Sequence, residues 1–109
     1  MSSVLLEASG TQTATIGTEH SLATLTGAKV YTLFVDCFNL VDGERVELRV
    51  YYTPLSAGTE RLMHPVLVIE NAQASPIKQS LPIPSDISCR FTLKQVTGTG
   101  RAFPWKVLS

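Results

Sequence analysis

Hydrophobic and polar positions alternate with a period of two along most of the chain. Between Lys29 and Asn39 the odd positions Tyr31, Leu33, Val35 and Cys37 are apolar, with Thr32 and Asp36 between them. Between Glu44 and Thr53, Val46, Leu48, Val50 and Tyr52 face one way, and Arg45, Glu47 and Arg49 the other. This is the signature of half-buried β-strands. Val41-Asp42-Gly43-Glu44 separates the two runs, and Asp-Gly suits the positive φ angles of a type I′ turn, so they are expected to form a hairpin. In that hairpin Asp36 would pair with Arg49 across the strands. Further on, Ile87, Cys89, Phe91 and Leu93 alternate with Ser88, Arg90, Thr92 and Lys94. Beyond Thr97-Gly98-Thr99-Gly100, Phe103, Trp105 and Val107 alternate with Pro104 and Lys106, which predicts a second hairpin.

The remaining segments are weaker. Arg61 to Glu70 is rich in β-formers, and Pro65 within it points to a bulge or an edge. Ile77 to Ile83 alternates, but Pro82 and Pro84 remove ladder donors, so a short edge strand is expected. Thr11 to Ile16 and His20 to Thr26 are Thr-rich strand candidates. About eight short strands without a helix predict a single all-β domain, an antiparallel β-sandwich of jelly-roll-like type, with a closed up-and-down barrel as the alternative. The expected division is an N-terminal segment over 1–10 and a sandwich over 11–109.

Composition narrows the functional classes. Nine Lys and Arg balance nine Asp and Glu, so no global field gathers nucleic acid or an anionic membrane. No apolar run approaches membrane-spanning length, and Met1 to Gly10 lacks the charged and apolar regions of a signal peptide. A soluble protein made in a cytoplasm is expected. His20 and His64 are the two histidines, and neither belongs to a nucleophile or zinc motif. Thr97-Gly98-Thr99-Gly100-Arg101 has the look of an anion-binding loop but precedes a strand, so it reads as a turn. Tyr31, Tyr51, Tyr52 and Trp105 raise a carbohydrate-binding reading, although alternation assigns all but Tyr51 to core faces. No catalytic residue, metal site or cofactor is expected.

The segments Val30-Tyr31-Thr32-Leu33-Phe34-Val35-Asp36, Asn39-Leu40 and Val46-Glu47-Leu48-Arg49-Val50-Tyr51 resemble small proteins encoded among the virion genes of tailed bacteriophages. The more specific match is Thr92-Leu93-Lys94-Gln95 with Thr97-Gly98-Thr99-Gly100-Arg101-Ala102-Phe103-Pro104-Trp105-Lys106-Val107-Leu108. The resemblance spans roughly Thr15 to Leu108. It implies a virion structural subunit, and by analogy with small β-sandwich cement proteins a capsid decoration protein bound to the major capsid protein shell. A head–tail or tail-attached virion protein is the variant within that class. The implied partners are other virion proteins and further copies of itself, with no nucleic acid and no membrane. A free-standing carbohydrate- or surface-binding module is the alternative class, and an enzyme or inhibitor the third. Val4, Leu5 and Leu6 form an apolar cluster outside any strand alternation, followed by small residues, and are the candidate partner-binding residues.

Leu33, Val35, Cys37, Val46, Leu48, Val50, Phe91, Leu93, Phe103 and Trp105 share the apolar phases and form the expected core. Cys37 and Cys89 lie on those phases, 52 positions apart and without metal-ligand spacing, so two buried reduced thiols are expected. Alkylation under denaturing, non-reducing conditions followed by intact-mass measurement should add two labels. A product carrying none would mean a disulfide joins them.

Overall fold

A computed structural model of the chain describes residues 4–63 and 66–109. The expectations for His64 and Pro65, and for the first three residues of the N-terminal segment, lie outside the described residues. Ten strands form, with no helix among the described residues: β1 (Leu6–Thr13), β2 (Glu19–Leu25), β3 (Lys29–Asp36), β4 (Arg45–Thr53), β5 (Arg61–Leu62), β6 (Leu67–Glu70), β7 (Ile77–Gln79), β8 (Ile83–Ser85), β9 (Ser88–Thr97) and β10 (Ala102–Leu108). They build two antiparallel sheets packed as a β-sandwich. Sheet I runs β1-β10-β3-β7, with β8 following β7 along the same side of β3. Sheet II runs β2-β9-β4-β5, with β6 also on the free side of β4.

Ten strands occupy eight positions because both outer strands are broken. Between β7 and β8 the Ser80 N–H donates to Leu33 O at 2.9 Å, and the Ser80 hydroxyl accepts the Leu33 N–H at 3.0 Å. One serine thus serves both backbone groups of Leu33 where the ladder lapses. Pro82 and Pro84 fall in or beside β8 at this sheet edge, as their missing donors require. Between β5 and β6, the Met63 N–H donates to Val50 O at 2.7 Å.

The pairing is nested: β1 with β10, β2 with β9, β3 with β7 and β8, β4 with β5 and β6. The chain is therefore one long antiparallel ribbon, closed at residues 54–60 and wrapped so that successive pairs fall in alternate sheets, the jelly-roll-like arrangement. This corrects both expected hairpins. β3 lies in sheet I and β4 in sheet II, and β9 and β10 are likewise divided between the sheets. Each turn signal marks a crossing from sheet to sheet. Glu44 N–H donates to Val41 O at 3.1 Å, so a four-residue turn does form. Gly43 has φ +88° while Asp42 is not among the residues of positive φ, the pattern of a type II turn. That turn splays its flanking strands, whereas type I′ would keep them paired. The expected Asp36–Arg49 pair is lost with the hairpin. Asp36 accepts the Phe38 N–H at 2.9 Å, and Arg49 turns to Glu47 and Glu19.

A second correction concerns the N-terminus. β1 begins at Leu6, so Leu6 to Gly10 belong to the sandwich and the expected boundary after residue 10 falls inside a strand. Leu5 continues the pairing, exchanging two 2.9 Å backbone bonds with Ser109.

The expected core is buried between the sheets except for Trp105, which is half-buried and packs against it. Gly10, its partner on β1, leaves the indole room: a Cβ there would sit 3.3 Å from the ring. Tyr31 is buried and its hydroxyl donates to Gly27 O at 2.6 Å. Both thiols are buried and free, and desolvation lifts that of Cys37 to about 11. Leu48 fills the centre of sheet II, so Leu48→Ala should cost about 2–5 kcal/mol in urea denaturation. A loss below about 0.5 kcal/mol would mean the side chain fills no packed space.

Candidate interaction surface

The loops that cross between the sheets at one end converge on a single carboxylate. Glu44, just before β4, is 4% exposed. Its oxygens accept from the Arg101 guanidinium at 2.9–3.0 Å, from the Val41 N–H at 3.1 Å and from the Thr99 N–H at 3.0 Å. Thr97 to Arg101, read as a turn, is one, and it also encloses an anion: the chain's own Glu44. Gly98 has φ +91°, and a Cβ there would run into the Glu44 side chain, so the loop closes only over glycine. Buried Gln95 completes the cluster, donating to Thr97 O and Thr99 O at 3.0 and 2.7 Å and accepting the Arg101 N–H at 2.9 Å. Asn71 N–H donates to Glu44 O, bringing in the crossing that follows β6. Every polar atom of this cluster that points inward is met by the chain itself. It is architecture.

The outer faces of the two sheets differ sharply. On sheet II, Arg45, Glu47 and Arg49 face outward as alternation predicts, and they neutralise one another: Glu47 lies between Arg45, 2.8 Å away, and Arg49. Arg49 reaches Glu19, which also accepts the Thr92 hydroxyl at 2.7 Å. Arg90 pairs with Glu60 at 2.8 Å and lies 4.4 Å over the Tyr51 ring. Paired charge dominates this face, with Leu62 and Val68 exposed at its outer strand and Arg45 Nε left without a hydrogen-bond partner.

Sheet I is the opposite. Register places Val30, Thr32, Phe34 and Asp36 of β3 outward, beside Pro104, Lys106 and Leu108 of β10 and Ile77 of β7. They surround an open groove of about 380 Å³ lined by Phe34, Val35, Asp36, Ile77, Pro104, Trp105, Lys106 and Leu108. Ile77 is 61% exposed. Leu6 stands beside Leu108 on the same face. Lys106 and Asp36 bring the charge to the groove, and neither joins an ion pair among the described residues. The outward phases of β3 and β10 mix apolar with polar groups, Val30, Phe34, Pro104 and Leu108 with Thr32, Asp36 and Lys106.

The candidate residues Val4, Leu5 and Leu6 lie at the β1 edge of this sheet and are 72%, 49% and 62% exposed. β1 is an outer strand with one ladder side open, the arrangement that accepts an added strand. Among the described residues weighed for chemistry, His20 and the tyrosines have structural partners. His20 Nε2 accepts the Thr15 N–H at 3.1 Å. The Tyr52 hydroxyl donates to Pro84 O at 2.5 Å, and Tyr51 is engaged by Arg90, so the tyrosines present no flat aromatic strip. Among the described residues no group of three or more His, Cys, Asp or Glu is placed to hold a metal ion. Alternation missed the outward groove because it sorts residues by phase and asks only which phase is more apolar. The signal was the outward phase itself, with Val30 and Phe34 on β3 and Pro104 and Leu108 on β10. Compared with family models, curated proteins and solved structures, the chain matches none.

The Glu44 cluster carries a pH signature. The Arg101 guanidinium holds the carboxyl down to about 2 against the cost of its burial, with help from the N–H groups of Val41 and Thr99. A carboxyl depressed in the folded state contributes stability that is complete above its ordinary value near 4.5 and is lost as pH falls toward 2. Glu44→Gln should therefore cost about 2–3 kcal/mol at neutral pH. In urea titrations at several pH values, the gap between wild type and variant should close across that acid window. A gap independent of pH would show that the carboxylate charge is not what holds the loops.

Proposed function

We propose that the protein is a virion structural subunit, a capsid decoration protein that binds the shell of the major capsid protein and works by association, not by catalysis. The observation that carries this reading is the exposed Val4-Leu5-Leu6 run at the open edge of sheet I. Three large apolar side chains in water beside the open ladder side of an edge strand are suited to a protein partner, through β-augmentation with apolar anchors. The resemblance of the β3, β4 and β9–β10 segments to phage virion proteins supports the same class. So does a jelly-roll-like fold, which recurs among capsid domains, though fold analogy alone does not assign function. On this reading the protein resides in the virion, its partners are other virion proteins and copies of itself, and it needs no cofactor.

Because β1 starts at Leu6, the informative variant keeps the backbone and removes the apolar side chains: V4S/L5S/L6S. These positions are exposed, so stability should change by no more than about 0.5 kcal/mol. Wild type should co-purify with virus particles at a fixed ratio to the major capsid protein, and the triple variant should be absent from particles while melting normally. Normal occupancy by the variant would place the attachment surface elsewhere, and absence of wild type from particles would refute the virion role.

A further inference from the structure

We infer that the outer face of sheet I is a two-fold interface, on which a second copy of this chain stacks sheet against sheet. Trp105 pairs with Val35 and Lys106 with Phe34, so the same antiparallel register sets Pro104 beside Asp36. Four outward side chains therefore form a rectangle: Lys106 and Pro104 on β10, Phe34 and Asp36 on β3. The two opposite charges occupy one diagonal, and the two apolar groups the other.

This pattern is its own complement. A two-fold axis lying in the interface along the Phe34–Pro104 diagonal places Phe34 on Phe34 and Pro104 on Pro104 of the second copy. The same rotation places Lys106 over Asp36 twice. An isologous contact requires that residue i meet j while j meets i, and this rectangle satisfies it. A foreign partner would have no reason to find balanced charge of this spacing. Within the chain Lys106 Nζ lies 5.9 Å over the Phe34 ring, a contact it gives up for Asp36 of the second copy when Phe34 meets Phe34.

The area is sufficient. Three strands of seven or eight residues and the broken outer strand of β7 and β8, about 4.8 Å apart, make a face of about 500 Å². Two copies then cover about 1,000 Å², the threshold for a specific contact. Ile77 and Leu108 widen the apolar patch around the rectangle. On the outer face of sheet II the exposed apolar groups, Leu62 and Val68, stand apart on the broken outer strand, and the arginines are already paired within the chain.

The dimer is independent of any role in a particle, and it is read in purified protein. Full-length wild type should sediment as a dimer at micromolar concentration. Lys106→Glu sets one carboxylate against Asp36 at each of the two symmetry-related contacts and should weaken dimerisation by about tenfold or more. Asp36→Lys should do the same, the double variant K106E/D36K should restore the dimer, and mixing the two single variants should give the heterodimer. Asp36 also caps Phe38, so Phe34→Glu serves as a second probe should Asp36→Lys fail to fold; it brings like charges together on the axis and should give a folded monomer. A monomeric wild type, or a dimer indifferent to Lys106→Glu and Phe34→Glu, would overturn the inference.

Discussion

The architecture depends on the carboxylate of Glu44. A ribbon wrapped into two sheets must cross repeatedly between them, and each crossing carries backbone groups that no ladder can satisfy. Glu44 gathers the crossings around 41–44 and 97–101 onto one anion, and its own carbonyl accepts from the crossing after β6. Gln95 fills the same role for carbonyls and N–H groups that Glu44 leaves unmet. A buried charge is costly unless its partners are complete, and here completeness ties together segments more than fifty residues apart. The two sheets keep their relative placement because this end cannot open without stranding a carboxylate.

With that end fixed, the two outer faces are free to diverge. Sheet II presents arginines and glutamates arranged to cancel one another, with Leu62 and Val68 exposed only along its outer strand. Sheet I presents Phe34, Pro104, Ile77 and Leu108, with Val4 to Leu6 at its margin. One domain thus has two outer faces of different character, paired charge dominating one and unpaired charge among apolar groups the other.

Strand positions and the inner core were legible in the alternation of Tyr31 to Cys37, Val46 to Tyr52 and Cys89 to Leu93, because burial between sheets imposes a period of two whatever the topology. Strand pairing was not legible. Asp42-Gly43 and Thr97 to Gly100 are turn signals, and a turn within a sheet and a turn between sheets use similar residues; the difference lies in the sign of φ at Asp42, which composition does not report. The start of β1 was missed because Ala8 to Gly10 is made of small residues, including the glycine that Trp105 needs beside it. Glu44 looked like an ordinary polar residue after a turn, since its meaning depends on Arg101, distant in sequence. Of the candidate surface, Val4 to Leu6 stood out by lacking alternation, while the groove on sheet I was hidden in the phase that alternation treats as solvent-facing.

The place of β10 between β1 and β3 bears on how the protein is made. It is the domain's last strand to leave the ribosome, and β9, which joins β2 to β4, is the one before it. Until both emerge, β1 and β2 have no neighbour to bond, and a nascent chain can assemble only the inner part of the ribbon around β3 to β8. Such long-range closure folds slowly and leaves apolar strand surface exposed in the interval. Closure of the sandwich is therefore late in its synthesis, completed when its last two strands insert into the middle of both sheets, and those two strands decide whether the ones made first ever find a neighbour.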